Sequence, residues 1–85
     1  MHTVFQKKIG TIGPNGEFDV EGDIVQYGNG KYRVRIVERT RGRINVPKYA
    51  EGILEERDAR GMLEVFAKSY ADAKQQDGKS TFKPL

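Results

Sequence analysis

Seven cations fall between residues 31 and 48, namely Lys31, Arg33, Arg35, Arg39, Arg41, Arg43 and Lys48, against the single acid Glu38. Guanidinium groups at this density suit phosphate chemistry: they fork onto phosphate oxygens, and onto guanine edges in a major groove wide enough for a two-stranded ribbon. Positive charge gathered in one segment therefore points to a polyanion as partner. Tyr27 shares the odd numbering of Arg33, Arg35 and Arg39, so it could stack on an unpaired base beside them. The preceding stretch has the opposite sign, with Glu17, Asp19, Glu21 and Asp23 and no base between residues 15 and 30. Acids at that spacing can pair with arginines across a sheet, at about 0.2–1 kcal/mol each.

Other chemistry is thinly supplied. The chain has one histidine, His2, two serines, Ser69 and Ser80, and no cysteine. A nucleophile, a base and an orienting group cannot be assembled from these, so no enzyme is expected, and no cofactor. The period-two acids lack the glycine-centred loop of an EF-hand, which argues against a metal site. Gly28-Asn29-Gly30 lacks the third glycine and the lysine of a phosphate loop and reads as a turn.

The elements that must hold the cations follow from the alternation. Phe18, Val20 and Ile24, then Tyr32, Val34 and Ile36, and then Ile44 and Val46 occupy even positions, with charged residues at most odd ones. This is the pattern of half-buried strands. Gly13-Pro14-Asn15-Gly16, Gly28-Asn29-Gly30 and Thr40-Arg41-Gly42 supply the turns. A three-residue loop at 28–30 sets Ile24 opposite Val34, Asp23 opposite Arg35 and Asp19 opposite Arg39, and keeps both faces uniform. On this parity Arg33, Arg35, Arg39, Arg43 and Asn45 share a face. Ile12 fits opposite Phe18, whereas Ile9 and Phe5 fall out of phase, so a bulge is expected near Gly10.

Beyond Pro47 the period changes. Ala59, Met62, Leu63, Phe66, Tyr70 and Ala73 recur at helical spacing, predicting a helix over 58–76 that starts at Asp58 and ends at Asp77-Gly78. Residues 48–56 read as a shorter helix before it. The fold class is thus α+β: an antiparallel meander of three to four strands, then a short and a long helix on one sheet face. At 85 residues and 36% hydrophobic composition, a single domain over 1–76 with a loose tail at 77–85 is expected. No run approaches the roughly 18 apolar residues of a membrane span, and the first residues lack the apolar centre of a signal peptide, so a cytoplasmic protein away from membranes is expected.

The stretch from Tyr27 to Ile36, with the basic hairpin and helix after it, resembles the amino-terminal arm-binding domains of phage-type tyrosine integrases. That resemblance implies a small three-stranded sheet backed by a helix, with the sheet face laid in the major groove of DNA. The chain departs from the family at residues 45–57, which intervene between the last strand and the helix.

Two functions follow as expectations. The first is DNA or other nucleic-acid binding through Lys31, Arg33, Arg35, Arg39, Arg41, Arg43 and Lys48, of which Arg41, Arg43 and Lys48 have no acid opposite them. The second is a small protein-interaction module, such as a phage-type or plasmid-type accessory, regulatory or inhibitory protein, using a face divided between acids and bases. A uniform positive field would favour nucleic acid, and neutralised arginines would favour protein. Homodimerisation is also open, with the helix stripe as its candidate seam.

Overall fold

The computed structural model describes residues 1–77 and 81–85. Its elements are β1 (His2–Ile12), β2 (Phe18–Gln26), β3 (Tyr32–Thr40), β4 (Arg43–Ile53), α1 (Glu56–Gln76) and β5 (Lys83–Pro84). The strands form one antiparallel sheet in the order β4-β3-β2-β1-β5, with α1 packed against one face.

The β2–β3 hairpin has the predicted register. The Tyr27 N–H donates to the Lys31 carbonyl at 2.9 Å and the Gly30 N–H to the Tyr27 carbonyl at 3.0 Å. Gly30 takes φ 85°, a left-handed conformation that costs glycine nothing sterically. Ile24 faces Val34, Asp23 faces Arg35 and Asp19 faces Arg39. On β1 the phase slips between Lys8 and Gly10, as its sequence suggests, and again between Thr3 and Phe5. The extra residues Ile9 and Val4 both still pack on the core.

The expected short helix over 48–56 is absent. Those residues belong mostly to β4, an outer strand of 11 residues. Two register shifts along β4, opposite the intervals Ile36/Glu38 and Tyr32/Val34, each insert one extra residue. Each insertion flips the side-chain alternation, so a strand with two bulges loses the period of two without gaining that of a helix. The second bulge includes Gly52 at φ 77°. The sheet therefore has five strands rather than three or four, and the stretch in which the chain departs from the integrase pattern is mostly its fourth strand.

One helix follows, and it starts earlier than predicted. Glu55 is its N-cap and makes no side-chain capping bond, while Glu56 and Asp58 lie in the first turn, where negative charge suits the helix dipole. Asp58 is therefore inside the helix. At the other end the Asp77 N–H donates to the Ala73 carbonyl at 3.1 Å. Gly78 lies outside the described residues, as does part of the stretch expected to be a loose tail. Within that stretch Lys83–Pro84 pairs with β1, and Phe82 meets Tyr70 edge-on with ring centroids 5.3 Å apart.

The helix stripe is consumed by the sheet. Ala59, Leu63 and Tyr70 join Val20, Ile24, Val34 and Ile36 in one buried cluster, with Phe5, Ile53 and Phe66 at its margin. Gly22 lets the helix approach: a Cβ there would stand 2.8 Å from Leu63 Cδ1. The stripe is the cover of the core.

Candidate functional site: the open face of the sheet

The face turned away from α1 carries Arg33, Arg35 and Arg39 of the predicted cations. Asp19, Glu21, Asp23 and Val25 of β2 stand opposite Arg39, Val37, Arg35 and Arg33 of β3. Gln6 and Lys8 of β1 extend the face on one side, opposite Asp23 and Glu21, and Ile44 and Tyr49 of β4 on the other, opposite Arg39 and Arg35. No described helix covers it, yet Val37 is wholly buried, and Val25 and Asp23 are each 5% exposed. Their neighbours on this face are arginines, whose aliphatic stems can lie over apolar residues while the charged heads reach outward.

The charges on the face are zipped together. Asp23 accepts from Arg35 Nε at 3.1 and 3.2 Å and from Nη2 at 2.6 Å, and Arg33 Nη2 lies 3.8 Å from the same carboxylate. The hydrogen bond to Asp23 raises the pKa of Arg35 above its ordinary value, and burial only partly opposes it. Arg33 Nε is buried without a hydrogen-bond partner. Arg39 Nε lies 3.7 Å from Glu21 and Lys8 Nζ 3.1 Å from Asp19. The strand register sets Asp19 against Arg39, but the long side chains reach diagonally and choose other partners. Gln6 Nε2 donates to Glu21 at 3.1 Å.

Beside this lattice lies an apolar strip on β4. Ile44 is 53% exposed, Val46 41% and Tyr49 50%. The Tyr49 hydroxyl donates to Glu51 at 2.8 Å. That bond, with a smaller contribution from neighbouring Tyr27, pushes the Tyr49 pKa up to about 12. Tyr27 is half-buried beside Tyr49 and Arg35 rather than standing free.

The seven predicted cations thus separate into three groups. Arg33, Arg35 and Arg39 share the open face. Lys31 and Arg41 sit at loops on the sheet's ends, both exposed. Arg43 and Lys48 fall on the helix side: Arg43 is opposite Thr40, and Lys48, opposite Ile36, donates to Ser69 of α1 at 3.2 Å. Asn45 goes with them, opposite Glu38 and donating to it at 3.4 Å. For Arg43 and Asn45 the physical reason is the turn, and for Lys48 the turn together with the bulge between Asn45 and Lys48. A three-residue loop pairs odd with odd positions, whereas the two-residue turn Arg41-Gly42 pairs Thr40 with Arg43, even with odd. Sequence parity carried across that turn put Ile44 and Val46 in the core, and register puts Ile44 on the open face instead.

Ile44, Val46 and Tyr49 are the residues of the site that alternation missed. Their signal was the turn length, which a count across Thr40-Arg41-Gly42-Arg43 would have supplied. Among the described residues, no group of three or more His, Cys, Asp or Glu is placed to hold a metal ion. No described helix is long and apolar enough to cross a membrane. Comparison with known protein families, with curated proteins and with solved structures gives no match to this chain.

Proposed function

We propose that the chain is a non-catalytic binding protein whose partner is another protein, engaged through the open sheet face. The observation that carries this reading is the charge pairing. Asp23, Glu21 and Asp19 neutralise Arg35, Arg39 and Lys8, so the face offers no uniform positive field for a phosphate backbone. What it offers is Tyr49, Ile44 and Val46 beside arginines held in place, and aromatic and arginine side chains anchored in this way dominate protein interfaces.

A second reading retains nucleic acid, now at the β3–β4 turn. Arg41 and Arg43 are exposed and carry no ion pair among the described residues, and Lys31 projects from the loop at the sheet's other end. Fluorescence anisotropy with labelled duplex DNA, single-stranded DNA and RNA, at low and moderate salt, separates the two readings. Counterion release makes phosphate binding fall steeply with salt. Protein recognition predicts no binding to any of the three at low salt. It also predicts a captured protein lost on Tyr49→Ala and kept by the double variant Arg41→Glu/Arg43→Glu. Binding to a nucleic acid that weakens steeply with salt and disappears in that double variant would overturn it.

A further inference from the structure

We infer that two copies of this chain form a two-fold dimer by antiparallel pairing of their β4 edges, with Ile44 of one copy opposite Tyr49 of the other. This goes beyond the reading of the open face, because it concerns the strand edge, and a monomeric chain would leave that reading standing.

The first support is the edge itself. Among the described residues β4 is outermost in the sheet and pairs only with β3, so one side of an 11-residue strand has no described strand beside it. Such an edge is a template for another strand. Four of the seven exposed large hydrophobics among the described residues, Ile44, Val46, Tyr49 and Leu54, lie on β4 or directly after it. At the opposite edge β5 has two residues and pairs with Gly10 and Thr11 of β1. A two-fold contact at β4 uses the same surface on both copies, so it closes on itself.

The second support is register. Pairing must set open-face residues against open-face residues. Within β4 the bulge flips the alternation, so Ile44 and Tyr49 share the open face while Arg43, Asn45, Lys48 and Ala50 share the helix face, as their β3 partners fix. A register setting Ile44 against Ala50 would cross the faces. Setting Ile44 against Tyr49 of the second copy matches them throughout, because Arg43 then meets Ala50 and Asn45 meets Lys48. The backbone agrees. Thr40 and Arg43 close a two-residue turn, so by alternation Arg43, Asn45, Lys48 and Ala50 spend their hydrogen bonds on β3, and Ile44 and Tyr49 turn theirs outward. The bulge and Pro47, which has no N–H, fall on the two-fold axis, where they interrupt the new ladder only at its centre. Aliphatic–aromatic pairs of the Ile44–Tyr49 kind are among the favourable cross-strand contacts.

The test is sedimentation equilibrium on the purified chain and two variants, Ile44→Lys and Tyr49→Glu, both at exposed positions, with circular dichroism as the check on folding. The wild-type chain is expected to reach twice its 9.6 kDa monomer mass as concentration rises. Each variant sets a charge against an apolar partner at both contacts and is expected to raise the dimer dissociation constant about tenfold or more. An equimolar mixture of the two variants sets opposite charges at one contact and the native pair at the other, and is expected to recover the dimer as a heterodimer. A second readout uses the absence of cysteine: copies carrying Ile44→Cys mixed with copies carrying Tyr49→Cys should oxidise to a mixed disulfide faster than either forms one alone. Wild-type protein that stays monomeric, or a variant mixture no more associated than its components, overturns the inference.

Discussion

The two faces of one sheet bury their central residues by different means. On one, α1 lies over Val20, Ile24, Val34 and Ile36, all fully buried. On the other, no described helix is present, and Val37 is as buried as they are. There the cover is a layer of paired charges, with Asp23 holding Arg35 and Arg33 over the strands. The apolar face is stabilised by area removed from water, at roughly 25 cal/mol per Å². The charged face depends instead on completeness, since a buried ion that loses its partner costs more than the pair contributed. A domain this small gains a second buried layer without needing a second helix.

The comparison breaks most visibly on the helix side. Ile36→Ala removes a fully buried side chain beneath α1 and is expected to destabilise the domain by about 3–4 kcal/mol, the range for a core cavity that relaxes only in part. Urea unfolding followed by circular dichroism measures it. A loss below about 1 kcal/mol would mean the helix collapses onto the gap and the two faces are more alike than they look.

On the charged face the largest effect belongs to Asp23. Asp23→Ala strands Arg35 and Arg33, whose side chains are 21% and 13% exposed, and is expected to cost about 2–3 kcal/mol, less than for fully buried partners because water reaches both. Replacing all three, Asp23 by Val and both arginines by Met, should recover most of that loss, since an apolar layer of similar volume needs no pairing. The same unfolding assay compares the two variants. If the triple replacement is no more stable than Asp23→Ala, the charges contribute more than mutual neutralisation.

How much of this was legible in the sequence depended on turn chemistry and on bulges. Tyr27 to Lys31 carries a loop whose length is fixed by Gly30, so the pairing of Asp23 with Arg35 could be counted out residue by residue. Arg43 and Asn45 fall on the helix side because a two-residue turn reverses parity, and nothing in the alternation announces that reversal; at Lys48 the first bulge of β4 reverses it once more. The two bulges of β4 then hid the strand itself, since Tyr49, Ile53 and Leu54 at uneven spacing resemble a short helical stripe. The diagonal choice of partners by Lys8 and Arg39 was not readable at all. Strand register fixes Cα positions, while long side chains select the nearest opposite charge.

A smaller effect tests the seam between the two faces and the helix. Tyr70 donates to Glu38 at 2.5 Å, and its pKa is raised far above its usual value, first by burial and then by that bond. A folded-state pKa raised above the unfolded one stabilises fully below the unfolded value, near 10, and is lost as pH climbs through the folded one. Stability is therefore expected to fall as pH rises above about 10. Tyr70→Phe is expected to cost about 1 kcal/mol at neutral pH and to flatten that alkaline decline. Thermal melts across an alkaline pH series give both numbers, and an unchanged slope in the variant would assign the decline to other groups.

The smallest effect on stability discriminates most sharply between a structural layer and a working surface. Arg39 sits at the margin of the charged face, 41% exposed and 3.7 Å from Glu21, a distance and exposure at which a pair contributes less than about 0.5 kcal/mol. Arg39→Ala should accordingly leave the unfolding midpoint nearly where it was. Yet Arg39 stands directly opposite Ile44, beside the exposed strip of β4, where an arginine at an interface can contribute far more than it does to folding. Capture of a protein partner should therefore weaken in Arg39→Ala while stability does not. Loss of both together would make Arg39 a structural residue after all, and loss of neither would move the contact surface away from the strip that Ile44 and Tyr49 define.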